Sequence, residues 1–275
     1  LRHVVNNTGA DIVLTDARFA GPLFDIADQL THVRNVVVFG PVDELPQRLP
    51  FNVSFSDEFL ADANPVERPE PGPWDISSLI YTSGTTGRSK AVMVPWGQLK
   101  ATMESGFIPV DRLDGIRIYS PFPVFHITGK GGFYFAAVFG GATVIREAFS
   151  PSEYWRDVST FDASGAVLLG PLAQMLLNQP EQADESENPM KTVVMAPVIP
   201  EVDAFSERFG VDVFTTYNMT EINSPIVRPD ERCTSNNYRS CGQARAGVEV
   251  RIVNEHDIQV AAHTPGEMIV RGEPW

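Results

Sequence analysis

Cysteine is scarce in this 275-residue chain: Cys233 and Cys241 are the only two, with no CxxC pair and no histidine cluster beside them. That pattern indicates neither a zinc site nor a disulfide framework, and free thiols in a reducing compartment are expected. Long apolar runs are missing too. None reaches the roughly 18 residues a membrane-spanning helix needs, and no basic stretch leads into an apolar one at the start. A cytoplasmic protein with no membrane span is the expectation, its Asn-x-Ser/Thr triplets at Asn6, Asn52 and Asn218 unglycosylated. Positive charge is short, with 21 Lys+Arg against 35 Asp+Glu and a net charge of −14. An acidic balance of that size argues against a broad nucleic-acid or anionic-membrane footprint, while leaving room for a local phosphate site. No Gly-x-Ser-x-Gly elbow marks a serine hydrolase, and no internal repeat is present. The first residue is Leu1 rather than methionine, and the chain is read as a fragment. Its length still suffices for a substantial core, in one large domain or two smaller ones.

What is present centres on Tyr81-Thr82-Ser83-Gly84-Thr85-Thr86-Gly87-Arg88-Ser89-Lys90. The apolar runs Ser78 to Tyr81 and Ala91 to Val94 flank it as strands, which makes it a polar tip on a rigid sheet. Glycines let backbone N–H groups turn inward as an anion nest, hydroxyls add donors, and Lys90 adds charge. It is not the Walker pattern, because Arg88-Ser89 separate Gly87 from Lys90. Composition alone leaves a Ser/Thr/Gly-rich surface turn equally open.

Along the chain, Asp11 to Thr15 and Asn35 to Phe39 read as strands around a helical stretch, Leu23 to Leu30. Asn64 to Pro73 reads as an exposed proline-rich connector. Strands are expected at Arg117 to Tyr119, Gly141 to Ile145, Ala166 to Leu169, Lys191 to Met195 and Val211 to Tyr217. Helices alternate with them at Gln98 to Phe107, Phe133 to Phe139, from a capping box at Ser150 to Glu153, at Leu172 to Leu177, and around Val202 to Phe209. Glu181 to Glu187 reads as a solvated acidic loop. The fold class is α/β, with mainly parallel sheets covered by helices. Beyond Glu221, Gly247 to Val253 and Gly266 to Arg271 alternate with period two and predict a small antiparallel sheet or barrel.

Tyr217-Asn218-Met219-Thr220-Glu221 follows a predicted strand, and ligands of open α/β sheets sit outside strand carboxyl ends. Tyr217 can offer a ring face to a base, Thr220 a hydroxyl to a phosphate, and Glu221 a carboxylate to magnesium. A plain turn or helix cap fits the same residues. Asn218 tolerates left-handed backbone angles. His126, at the end of Pro121 to His126, is by itself more readily a packed or hydrogen-bonded core histidine than a site residue.

The loop Tyr81 to Val94 resembles the signature of the adenylate-forming superfamily of acyl-CoA synthetases, peptide-synthetase adenylation domains and luciferases. Ser89 and Ala91 replace its usual proline and glycine. Tyr217 to Glu221 is similar to the family's Tyr-Gly-x-Thr-Glu motif, Ala196-Pro197 to its adenine-wall Gly-Ala-Pro, and Gly266 to Gly272 to its Gly-Glu-Leu-x-x-Arg-Gly strand. Crotonobetaine/carnitine-CoA-ligase-like members look nearest. The resemblance implies ATP-dependent activation of a small carboxylic acid to an acyl-adenylate, with Mg2+, then transfer to coenzyme A. It implies that Thr82, Ser83, Gly84, Thr85, Thr86, Gly87 and Lys90 hold phosphates and that Ala196, Pro197, Tyr217 and Asn218 line the adenine site. It further gives Thr220 the α-phosphate, Glu221 the metal, and His126 the acyl side, with Lys90, Thr220, Glu221 and His126 as the catalytic set. Residues 1–223 would form the nucleotide- and acyl-binding region and 224–275 a β-rich portion of the same domain. The family's ribose-binding Asp, lid domain and C-terminal lysine are not in these 275 residues. A piece without them is expected to be inactive alone, and its open strand edges to favour a homodimer or aggregation. The other reading is a truncated or degenerate fold that binds nucleotide or acyl ligand, or a protein partner, without turnover.

Overall fold

Asp16 closes a strand and opens a helix within one residue, because its carboxylate accepts the backbone N–H of Arg18 at 2.9 Å and so caps the helix it precedes. The computed structural model describes residues 1–42, 44–61, 67, 69–83, 87–228 and 231–272. Gly84, Thr85 and Thr86 of the hydroxyl-rich loop, and part of the Asn64 to Pro73 connector, lie outside the described residues. The chain divides into two compact units, Leu1–Glu70 with Tyr81–Ala91, and Pro71–Ile80 with Val92–Trp275.

In the first unit the order is α1 (Arg2–Thr8), β1 (Ile12–Asp16), α2 (Ala17–Phe24), a 3-10 turn (Ala27–Gln29), β2 (Asn35–Phe39), β3 (Asn52–Phe55) and α3 (Ser56–Ala61). The three strands are parallel in the order β1-β2-β3. Val36 and Val38 of β2 pack with Val5, Ala20, Leu23 and Val33 in its core. The helix expected at Leu23 to Leu30 lies earlier, since the Asp16 cap fixes its start at Ala17.

The division between units falls within β4 (Ile76–Thr82) and β5 (Lys90–Pro95), which pair as a two-stranded sheet. The second unit continues with α4 (Trp96–Met103), a 3-10 turn (Val110–Arg112), β6 (Arg117–Ser120), α5 (Ile127–Phe139), β7 (Ala142–Ile145) and α6 (Tyr154–Thr160). Then come β8 (Gly165–Leu168), α7 (Gly170–Leu177), β9 (Thr192–Met195), α8 (Val202–Phe209) and β10 (Asp212–Phe214). The chain closes with β11 (Thr216–Met219), β12 (Ile222–Val227), β13 (Gln243–Ala244), β14 (Val248–Val253) and β15 (Glu267–Gly272). Five strands form a parallel sheet in the order β10-β9-β8-β6-β7. The last five strands make two small antiparallel sheets, β11-β12-β13 and β14-β15. The fold is thus α/β with parallel sheets and an antiparallel end, as expected.

The main core lies between this sheet and α6, α7 and α8. Phe205 and Phe209 are fully buried, and Trp155 stacks on Phe209 at 4.4 Å. Each such side chain is worth about 1.5–3 kcal/mol in burial. Asp157 brings a buried charge to the edge of that core, its Oδ2 accepting Tyr119 Oη at 3.0 Å and Arg146 Nη1 at 2.5 Å. Burial, then its bond to Asp157, pushes the Tyr119 hydroxyl well above its ordinary range, so it stays a donor.

Three local expectations change. The capping box at Ser150 is not made: Ser150 Oγ lies 3.3 Å from Ser152 Oγ, and α6 begins only at Tyr154. Glu185 is not merely solvated, because it forms a largely buried pair with Arg208 at 2.6 Å. The strand expected from Val211 to Tyr217 is two strands broken at Thr215, whose Oγ1 donates to Met195 O at 2.8 Å. No helix among the described residues is long and apolar enough to cross a membrane.

Candidate active site

Because the five strands are parallel, the loops after β6, β8, β9 and β10 all leave one edge of the sheet. From β6 the chain goes outward to β7, then returns to place β8 on the other side of β6. Adjacent strands whose connections diverge leave a crevice at their carboxyl ends, the usual ligand position in such sheets. Pro121 to His126 follow β6, Leu169-Gly170 follow β8, Ala196-Pro197 follow β9, and the stretch to Glu221 follows β10.

These loops are packed tightly. Ala196 N donates to Leu168 O at 3.1 Å, and a Cβ on Gly170 would lie 2.8 Å from Pro197 O. His126 is not a core residue. It is exposed and caps α5, its Nδ1 accepting the Thr128 N–H at 3.1 Å. That bond places the ring proton of the neutral imidazole on Nε2, a donor with no partner among the described residues.

Thr220 and Glu221 form the turn between β11 and β12, beyond the last ladder pair Met219↔Ile222. Thr220 is buried, at 8% exposure, and its carbonyl oxygen accepts Gln98 Nε2 at 2.9 Å. Glu221 is exposed and has no cationic partner among the described residues. Tyr217 is half-buried with its hydroxyl 3.2 Å from Met219 Sδ. Asn218 lies in β11 and does not take the left-handed angles open to asparagine. Among the described residues no group of three His, Cys, Asp or Glu side chains could form a metal cage. A single free carboxylate still fits magnesium, which takes one or two carboxylates and draws its other ligands from phosphates and water.

The hydroxyl-rich loop belongs to the first unit, apart from its strand stems. Thr82 ends β4, Ser83 and Gly87 are exposed, and Gly87 has φ +103°, which only glycine adopts freely. Lys90 starts β5, exposed, with no carboxylate partner among the described residues. Helix α1 holds both ends of the loop. Tyr81 Oη donates to Val4 O at 3.2 Å and accepts Asn7 Nδ2 at 2.8 Å, while a His3 ring nitrogen meets Ser89 O at 2.9 Å.

Two groups of these contacts escape sequence reasoning. Gln98 reads there only as the start of a helix, and the signal was a polar residue beside Leu99, Thr102 and Met103 on a buried face. The α1 contacts carry no local signal at all, since they span more than seventy residues.

The AMP-binding enzyme family matches residues 1–274, and the chain belongs to it. Crotonobetaine/carnitine–CoA ligase of Escherichia coli (strain SE11) is 27% identical over 289 residues, covering 98% of this chain and 53% of that protein. The anthranilate CoA ligase AuaEII, solved with anthranoyl-AMP, superposes with a TM-score of 0.82 at 21% identity, covering 99% of this chain and 52% of that one. The luciferase-like enzyme of the nonluminescent mealworm Zophobas morio gives 0.78 at 15% identity, over 98% and 64%. These structural likenesses establish the fold. The chain spans about half the length of the curated relatives it matches.

Proposed function

We propose that this chain is the nucleotide- and acyl-binding part of a ligase that activates a carboxylic acid with ATP and passes the acyl group to coenzyme A. The observation that carries the reading is the common edge: the His126 segment, Ala196-Pro197 and the ribbon carrying Tyr217 to Glu221 follow β6, β9 and β10, whose carboxyl ends lie at one end of one parallel sheet, the end where the crevice between β6 and β8 opens. Family membership supports it, and relatives whose names are CoA ligases favour coenzyme A as acceptor.

In the first step an oxygen of the substrate carboxylate bonds to the α-phosphorus of ATP. The bond from that phosphorus to the bridging oxygen breaks, and pyrophosphate leaves. In the second, the coenzyme A sulfur bonds to the acyl carbon, AMP departs with the bonding electrons, and the thiol proton passes to solvent. Two anions must approach each other in the first step, so its barrier is largely electrostatic. Lys90 and the donors from Thr82 to Gly87 bind the β- and γ-phosphates, Thr220 Oγ1 donates to the α-phosphate, and Tyr217 covers the base against Ala196-Pro197. His126 Nε2–H faces the carboxylate. Magnesium held by Glu221 and the phosphates would neutralise charge on the departing pyrophosphate.

The test is acid-dependent ATP–pyrophosphate exchange by the full-length protein across a panel of carboxylic acids. Lys90→Ala and Glu221→Gln should each lower the rate on the order of 10²-fold without loss of fold, as removal of a pre-organised charge or donor does. Near-parental rates in both variants reject these roles.

A further inference from the structure

The turn carrying Thr220 and Glu221 has no ladder hydrogen bond of its own, since the β11–β12 pairing stops at Met219↔Ile222. Thr220 is buried there, and a buried backbone carbonyl needs a donor. The donor comes from 122 residues away. Gln98 on α4 is 7% exposed, and its Nε2 lies 2.9 Å from Thr220 O. The surroundings confine that amide: Gln98 belongs to an α4 face buried at Leu99, Thr102 and Met103, and its backbone carbonyl, separate from the amide, accepts Thr102 Oγ1 at 2.8 Å.

From this geometry we propose that Gln98 is a positioning residue of the ligase site, holding the Thr220-Glu221 turn at the place where it meets the α-phosphate and magnesium. The proposal rests on the function given above and adds to it a residue that touches neither nucleotide nor metal. A carbonyl pinned by a buried amide cannot rotate with its peptide plane, so the hydroxyl on one side and the carboxylate on the other keep their directions. Without the pin, the turn would satisfy its carbonyl from water and sample other arrangements. Binding and chemistry would both suffer, because a site held loosely spends part of its time misaligned. Groups that orient a metal ligand or phosphate ligand typically matter about 10- to 100-fold when removed.

Two substitutions separate positioning from bulk. Gln98→Met keeps length and volume but cannot donate. Gln98→Glu is isosteric, and its carboxylate cannot donate either, whereas its protonated form can.

In the full-length protein, Gln98→Met should lower kcat/KM for MgATP in pyrophosphate exchange about 10-fold and raise the magnesium concentration needed for half-maximal rate. Gln98→Glu should resemble it at pH 8 and recover relative to the parent as the pH falls toward 6, because protonation restores the donor. On residues 1–275 themselves, hydrogen exchange at the Thr220 to Ile222 amides should quicken about 10-fold in Gln98→Met, with helices α7 and α8 unchanged.

Unchanged exchange at those amides overturns the positioning role, whatever the activity does. Quickened exchange with a parental magnesium response and a flat pH ratio for Gln98→Glu also overturns it, leaving Gln98 a stabilising contact only. A parent protein that shows no acid-dependent exchange with any acid instead rejects the ligase reading, and the amide measurement still decides whether Gln98 holds the turn.

Discussion

Gly129 and Gly131 stand two residues apart in α5 and make opposite predictions for the same substitution. A Cβ on Gly129 would lie 2.2 Å from Pro123 O and 2.6 Å from Pro123 C, whereas one on Gly131 meets nothing within 4 Å. Carbon approaches a carbonyl oxygen to roughly 3.3 Å, so Gly129→Ala must push the Pro123 peptide away by about 1 Å. That peptide also accepts the His126 N–H at 3.0 Å, and moving it moves the cap of α5 with the imidazole. Alanine gains about 1 kcal/mol over glycine inside a helix, while forced displacement of packed backbone costs about 1–3 kcal/mol. Gly131→Ala should therefore stabilise residues 1–275 by about 0.5–1 kcal/mol in urea unfolding, and Gly129→Ala should destabilise them by about 1 kcal/mol. In pyrophosphate exchange by the full-length protein, a displacement near 1 Å at His126 should cost on the order of 10²-fold. Equal unfolding midpoints for the two variants would refute the contact, and parental exchange in a destabilised Gly129→Ala would remove His126 from the acyl side.

Two further outcomes follow from charged and titratable groups away from the site. Burial alone would raise the Asp212 carboxyl, but its bonds to Arg112 at 2.5 Å and Arg232 at 3.3 Å outweigh it and hold the group below its usual value. A lowered carboxyl stabilises the fold above the unfolded value and stops doing so as pH falls through the folded one. Asp212→Asn should cost about 1 kcal/mol near pH 7, with the difference closing below about pH 4, and a pH-independent gap would contradict the ion-pair origin. Burial pushes the Cys233 thiol up to about 11 at 2% exposure, while Cys241 is only partly covered. At pH 8 a thiol-specific reagent should modify Cys241 in the native protein and reach Cys233 only after denaturation; rapid native labelling of both would contradict the burial.

Much of this architecture was legible because the period and the punctuation agreed. β2 falls on Asn35 to Phe39 as read, and Gly210 ends α8 at φ 65° as a left-handed cap. The family followed from the resemblance carried by the loop at Tyr81 to Lys90 and the Tyr217 to Glu221 stretch, and the fold class from the alternation of strand and helix patterns. Where sequence and structure part, a tertiary partner decides. Ser150 to Glu153 has the pattern of a capping box, yet the Ser150 hydroxyl turns to Ser152 and the helix starts later. Glu185 sits in an acidic run that needs no partner, until Arg208 on α8 arrives from 23 residues away. Gln98 has no local reason to be glutamine; its partner lies 122 residues on.

The break at Thr215 shows why the site could not be built from one straight strand. β10 is only three residues long, and Thr215 then turns its hydroxyl to Met195 O instead of extending the parallel ladder. From there the chain leaves the sheet as the antiparallel ribbon β11-β12, with Thr216 Oγ1 donating to Ile226 O at 2.9 Å across its base. A free two-stranded ribbon is marginal in water, so this one needs outside support to hold its tip. Support comes at the base from Thr215 and Thr216, along one edge from β13 and at the tip from Gln98. The backbone that carries Glu221 is therefore placed during folding, and under the proposed metal role only the rotamers of its exposed side chain remain to be ordered on binding.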